Sequence, residues 1–221
     1  MAKATQDSER HNKRHSYHLE FLNPAQKLAW AAFEQHDVLF LLGPAGAGKS
    51  FLAIAFAINE ILKKSRRRII LTRPVVEAGE NLGFLPGTFE EKINPYMMPL
   101  YDCMDSLVGR EGPQREIINH SVEVAPIAYM RGRTFNNAVC IFDEAQNATK
   151  MQLKLFLTRF GNNSKVIVTG DPMQSDLKGD VALVDVVRRL EGVPGVGVVQ
   201  FQANSIVRHP MVAKILEKLE P

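Results

Sequence analysis

Eight residues, Gly43-Pro44-Ala45-Gly46-Ala47-Gly48-Lys49-Ser50, constrain this chain more than any other stretch. They fit the spacing G-x-x-x-x-G-K-[ST], whose glycines let backbone N–H groups curl around phosphate oxygens. Val38 to Leu42, just ahead of the loop, is a short continuous apolar run, as expected of a strand buried on both faces. A helical pattern follows from about Lys49 to Lys64. Strand, glycine loop and helix in that order aim a helix N-terminus, with its positive dipole end, at a bound anion. The pattern places the Lys49 ammonium at the β- and γ-phosphates of a nucleotide and the Ser50 hydroxyl on a magnesium ion. ATP and Mg²⁺ are therefore the expected ligands, with Gly43, Pro44, Ala45, Gly46, Ala47 and Gly48 supplying the cradle.

The rest of the chain alternates between short apolar runs and helical patterns, which predicts a three-layer α/β domain with a mostly parallel central sheet. Asn23 can cap a first helix that starts at Pro24 and runs to about His36. Further strands are predicted over Arg68 to Thr72, Ser121 to Val124, Ala138 to Phe142, Lys165 to Thr169 and Gly197 to Phe201. Helices are predicted over Thr149 to Phe160, near Val181 to Leu190, and over His209 to Leu219. Residues 74 to 115 are rich in Gly and Pro and read as an inserted helical or loop region. Residues 1 to about 20 are polar and basic and read as a disordered arm, leaving 21 to 221 as one domain. His11, His15 and His18 share a helical spacing but lack the Cys or carboxylate neighbours that a metal site would add.

The bulk properties exclude several classes. The longest apolar run, Phe51 to Ile58, has eight residues, well short of the roughly 18 that span a bilayer. The N-terminus has no apolar segment of the kind that directs secretion. Two cysteines, Cys103 and Cys140, do not make a disulfide framework. A cytoplasmic protein without membrane partners is expected. The net charge of +3 is mild, but Lys63, Lys64, Arg66, Arg67 and Arg68 are clustered, as are Arg131 and Arg133. Such runs are either solvated helix ends or contacts for phosphates.

A phosphate loop needs a second magnesium partner at the end of a neighbouring strand. Val139-Cys140-Ile141-Phe142-Asp143-Glu144 supplies four apolar residues and an acidic pair. Asp143 is expected in the magnesium shell and Glu144 as the group that orients or deprotonates the attacking water. The next strand ends in Gly170-Asp171-Pro172-Met173-Gln174. Gln174 either senses the γ-phosphate and positions water, or belongs to a plain turn.

Leu22-Asn23-Pro24-Ala25-Gln26, the phosphate loop, Asp143-Glu144-Ala145-Gln146 and Gly170-Asp171-Pro172-Met173-Gln174 resemble the Q, I, II and III motifs of superfamily 1 helicases. Arg73-Pro74-Val75-Val76-Glu77-Ala78-Gly79-Glu80, Gly83-Phe84-Leu85-Pro86-Gly87, the run Pro126 to Thr134, and Val207-Arg208-His209-Pro210 resemble the PhoH-like family of ATPases. The resemblance covers residues 20 to 219. It implies a RecA-like core, ATP hydrolysis, a link to RNA that extends to helicase activity, and assembly into a ring, with six the usual number. It also implies that Gln26 reads the adenine, where the bland reading is an exposed residue of the first helix, and that Arg208 contacts the γ-phosphate. Met173, Ser175 and Asn204-Ser205 depart from the family's pattern. Some relatives carry a fused PIN nuclease domain; no nuclease activity is expected of this chain.

The leading functional expectation is an ATPase acting on RNA or single-stranded nucleic acid, assembled as a homo-oligomer whose neighbouring subunit completes the ATP site. Arg73, Asn81 and the lysine–arginine run are candidates for nucleic-acid phosphates. Arg131 and Arg133, on either side of Gly132, are candidates for a site in trans, or else form an intrachain surface salt bridge. The alternatives are a nucleotide-dependent switch or a P-loop kinase for a small substrate, with a pocket built from residues 74 to 115, and a catalytically weak structural subunit.

Overall fold

In the computed structural model, which describes residues 20–74, 89–174 and 182–202, the apolar runs form one six-stranded sheet. Its strands are β1 (Val38–Leu42), β2 (Arg68–Thr72), β3 (Val122–Val124), β4 (Ala138–Phe142), β5 (Lys165–Gly170) and β6 (Val196–Gln200). They lie in the order β3-β2-β4-β5-β1-β6, and every pairing is parallel. Parallel strands need covering on both faces, and period-two alternation provides for it. Leu39, Leu41, Ile69, Leu71, Val139, Ile141 and Ile167 face one core with helices α1 (Pro24–Gln35), α2 (Lys49–Leu62), α3 (Phe89–Val108) and α4 (Pro113–Ser121). Val38, Phe40, Leu42, Ile70, Cys140, Phe142, Val166 and Val168 face the other with α5 (Lys150–Leu157) and α6 (Ala182–Leu190). The result is the three-layer α/β architecture expected of a P-loop domain.

The predicted boundaries shift for local reasons. The first helix starts as expected: Asn23 caps it by accepting from Gln26 N–H, with Pro24 in the first turn. Helix α2 ends at Leu62 rather than Lys64, because Lys64 takes a left-handed conformation, φ +59°, and Ser65 turns back to Glu60. Helix α5 is shorter than Thr149 to Phe160. Thr149 is its cap, in a reciprocal capping box with Gln152, and Thr158 leaves helical geometry so that Phe160 can bridge to Phe135. The Gly- and Pro-rich insert contains the 20-residue α3, which holds Pro95 and Pro99 in its interior, and then α4. Two prolines inside a helix each remove a donor and normally break it; here the apolar stripe of Met97, Leu100 and Met104 packed on the α2 side of the sheet holds the helix together.

A buried lysine locks the first helix to the sheet. Lys165, at the start of β5, is 9% exposed, and its ammonium donates to the carbonyls of Phe33, Glu34 and His36 at 2.5, 3.3 and 2.6 Å. It thus satisfies the carbonyls that the end of α1 leaves without intrahelical partners. Burial, with the nearby Arg66 charge, lowers its pKa. Among the described residues no helix is long and apolar enough to cross a membrane. Cys140 is buried and Cys103 half-buried, both as free thiols. The expected final helix, the N-terminal arm with its histidines, Asn81, Ser175, Asn204-Ser205 and Arg208 lie outside the described residues.

Candidate active site

The phosphate loop leaves β1 at Leu42 and enters α2 at Lys49. Gly43, Gly46 and Gly48 all have positive φ, at +142°, +81° and +81°. At Gly43 the requirement is also steric: a Cβ would stand 2.5 Å from the carbonyl oxygen of Phe201. No side chain caps α2 at Gly48, which leaves the helix N-terminus uncapped by a side chain, as an anion site requires. Lys49 is 9% exposed, and its ammonium donates to the carbonyls of Gly43 and Pro44 at 2.7 and 2.8 Å. It is therefore held within the cradle by the loop's own backbone.

Asp143 and Glu144 follow β4, but β4 is not the neighbour of β1. Strand β5 lies between them, which corrects the expectation of adjacent strands. The intervening strand contributes a group of its own. Asp143 is 2% exposed, and its Oδ1 accepts from Ser50 Oγ at 2.6 Å and from Thr169 Oγ1 at 2.5 Å. Residues 93 positions apart are thus joined at one carboxylate oxygen. A carboxylate and a hydroxyl converging beside a phosphate cradle form an oxygen donor set that suits a magnesium ion, which takes one or two protein oxygens and completes its shell with phosphate and water. Ser50 and Asp143 would hold it, and Thr169 fixes the carboxylate from behind.

Glu144 adopts a left-handed backbone, φ +53°, an uncommon conformation for a residue with a side chain and one found at functional turns. Two neighbours hold its carboxylate. The amide of Gln146 bridges two strand ends: its Oε1 accepts from Asp171 N–H at 3.0 Å, so its Nε2 faces Glu144 Oε2 and donates to it. Arg73, at the end of β2, places Nη2 3.6 Å from Glu144 Oε1 and Nη1 3.9 Å from Asp143 Oδ2. Arg73 also donates to the Tyr96 carbonyl on α3 at 3.2 Å. Sequence reasoning assigned Arg73 to nucleic-acid phosphates; the structure puts it beside the acidic pair.

The other predicted residues separate. Gln26 is 5% exposed, which overturns its bland reading as a surface residue. Its Oε1 accepts from Leu22 N–H at 2.7 Å, and its Nε2 is 3.7 Å from the position a Cβ on Gly48 would take, so the amide borders the phosphate loop. Gln174 is exposed in a turn closed by its own N–H on the Asp171 carbonyl. Arg133 forms an intrachain pair with Glu123 at 2.5 Å and lies 4.7 Å above the Phe135 ring, so the salt-bridge alternative describes it. Arg131 is exposed, with no ion pair among the described residues. Thr169 is not singled out by the sequence, and Gln146 enters only as the last residue of the Asp143-to-Gln146 motif, with no partner assigned to it. A threonine inside an otherwise apolar strand was the only signal for the first, and no spacing rule links the second to Asp171.

Comparison with known proteins places the chain in a family. A family model described as "PhoH-like protein" matches residues 18–220. The chain is 47% identical over 189 residues to the "PhoH-like protein" of Bacillus subtilis (strain 168), covering 85% of this chain and 59% of that one. It is 45% identical over 199 residues to "Protein PhoH" of Escherichia coli (strain K12), covering 88% and 56%. The chain therefore spans a little over half the length of these curated relatives. Among solved structures, the flagellar accessory protein FlaH from Methanocaldococcus jannaschii aligns over 83% of this chain and 68% of that one, at 11% identity and a TM-score of 0.25.

Proposed function

Because this chain belongs to the PhoH-like family and is a nucleotide-binding P-loop protein, we propose that it hydrolyses ATP with magnesium and acts on RNA or single-stranded nucleic acid as a homo-oligomeric ring. The observation that carries the hydrolytic reading is the meeting of Ser50, Asp143 and Thr169 at one oxygen, with Glu144 next in the chain and held by Gln146. A switch needs the phosphate cradle and the metal partner but not a second carboxylate tethered beside them. Glu144 accepts the proton of the attacking water, and Gln146 and Arg73 keep its carboxylate in place for that transfer. Lys49 and the first-turn amides of α2 take up negative charge on the phosphates. The magnesium ion, when bound, would neutralise phosphate charge in the same place. Gln26, at the loop's border, is our candidate for the adenine edge.

The link to nucleic acid rests on the family and on the basic clusters, and the ring on the open γ-phosphate side of a P-loop site built on one sheet, which a second copy of the chain would wall off. Helicase activity is a further step that follows only if turnover is coupled to strand movement. Among the described residues, a cavity beside α3 is the feature that favours the small-substrate kinase reading.

Turnover separates these possibilities. ATP hydrolysis is measured with and without single-stranded RNA, single-stranded DNA and duplex RNA, for the wild type, Lys49→Ala and Glu144→Gln. Lys49→Ala is expected to lose nucleotide affinity and turnover together. Glu144→Gln is expected to keep ATP bound while turnover falls by ~10²-fold or more, the usual contribution of a general base. Wild-type turnover in Glu144→Gln removes Glu144 from this role. Phosphate transfer to a small acceptor in place of water would favour the kinase.

A further inference from the structure

A cavity of about 690 Å³ opens at the edge of the sheet, between α3, α4, the end of β3 and the turn around Tyr129. That size lies within the roughly 300–1,000 Å³ of small-ligand sites. Val122, Val124, Ala125 and Pro126 form one wall, so the cavity runs along the edge strand β3 and the segment that follows it. Ile93, Met97 and Met104 give it an apolar, buried floor.

The rim has a different chemistry. Asn94 and Asn119, both exposed, bring amides with a donor and an acceptor each. Tyr129, 60% exposed, brings an aromatic ring. The two guanidinium groups in the wall already face carboxylates: Arg133 faces Glu123 at 2.5 Å, and Arg115 faces Asp105 at 2.9 Å. A cavity so balanced in charge is poorly suited to a free phosphate, which needs excess positive charge. It suits a flat, neutral heterocycle whose faces are apolar and whose edges carry donors and acceptors. The location suits a ligand that speaks to the nucleotide site, because Tyr96, between Asn94 and Met97 on α3, supplies the carbonyl that receives Arg73 beside Glu144.

We propose that this cavity seats one base of a single-stranded nucleic acid, with Tyr129 as the stacking face and Asn94 and Asn119 at the base edges. The assignment rests on the nucleic-acid reading above and names where the strand is gripped. Aromatic stacking tolerates any base, so the site would read single-strandedness more than sequence.

The test is fluorescence anisotropy of the full chain with fluorescein-labelled 12-mers of RNA and of DNA across a salt series, with a mononucleotide as competitor. Tyr129→Ala is expected to weaken binding by roughly 5- to 100-fold, as loss of one stacked base does, and Tyr129→Phe to restore most of it. The slope of log affinity against log salt is expected to stay unchanged in Tyr129→Ala, because the ring neutralises no phosphate. If Tyr129→Ala fails to fold, Asn119→Ala, at an exposed position of α4, carries the same test and is expected to weaken binding. Whichever 12-mer binds more tightly identifies the source of the base. Wild-type affinity in both variants at an unchanged melting temperature overturns the cavity assignment and leaves the nucleic-acid reading standing. A flatter salt slope in Tyr129→Ala overturns the stacking role. A mononucleotide that competes as well as the 12-mer overturns the strand and makes the cavity a free-nucleotide site. A wild type that binds neither 12-mer overturns both this assignment and the reading beneath it.

Discussion

Oδ1 of Asp143 accepts two hydroxyl hydrogen bonds, from Ser50 and Thr169, and that sets what single substitutions will do here. Ser50 stands at the start of the helix that follows the phosphate loop, so losing its hydroxyl would remove a proposed metal partner directly. Thr169 acts from the sheet behind the carboxylate and aims it. Groups that orient a metal ligand typically contribute 10- to 100-fold in metal affinity. Thr169→Val is therefore expected to raise the Mg²⁺ concentration for half-maximal turnover by about 10-fold or more, with Thr169→Ser close to wild type. An unchanged Mg²⁺ requirement in Thr169→Val would show that Asp143 is held well enough by Ser50 and the backbone alone. Gly43 illustrates a second constraint at this scale: its φ of +142° and the Phe201 carbonyl behind it leave no room for a side chain.

Among the elements, β4 carries the acidic pair and is flanked by strands on both edges, β2 and β5. Its Cys140 lies in the core at 2% exposure, and burial pushes the thiol pKa up to about 12, partly offset by Arg68. In the unfolded chain the same thiol ionises near its ordinary value of 9.0. The stabilisation is therefore complete below pH 9 and is lost as pH rises from 9 towards 12, because the unfolded state releases its proton first. At pH 10.5 this single group should have removed on the order of 2 kcal/mol. Urea titrations at pH 7.5 and 10.5 check it: the wild type should lose more stability over that interval than Cys140→Ala by about this amount. Equal losses would mean that β4 opens to solvent far more readily than its position suggests. The pairing of α5 with α6 has a weaker electrostatic element, since Asp185 receives Lys150, Arg189 and Arg188 at the surface. Those charges hold its carboxyl well below the usual range, but exposed pairs contribute little and fade with salt.

At the scale of the whole molecule, the phosphate loop, Asp143 and Glu144 lie on the carboxyl side of one sheet, and one sheet supplies one wall. Of the two arginines that are candidates for a neighbouring site, Arg133 is occupied within the chain by Glu123. Arg131 is the described residue left to reach outward. Mixing tests this. Lys49→Ala subunits lack a working site but keep Arg131; Arg131→Ala subunits keep the phosphate loop. If Arg131 serves a neighbour, mixed assemblies should regain part of the turnover that each lacks alone, since a trans arginine is worth roughly 10³ or more in phosphoryl transfer. A solution mass of one subunit at micromolar concentration with ATP present would sink the ring and this role together.

Local chemistry in the sequence determined the phosphate loop, its strand and helix, the buried strands, the capping of α1 by Asn23, and the acidic pair. Each is dictated by neighbours within a few positions: glycines for positive φ, continuous apolar runs for two-sided burial, a polar cap before a proline. Strand order is a different matter. Nothing near Asp143 in the chain says that β5 lies between it and the phosphate loop, so the part played by Thr169 was illegible. For the same reason Gln146 could not be seen bridging Glu144 to Asp171, nor Arg73 turning inwards to the acidic pair while donating to a carbonyl on α3. These contacts join residues that only the stacking of parallel strands brings together. The side-chain period of two tells which face a residue takes, but not which strand it will meet there; the packing of the whole sheet decides that.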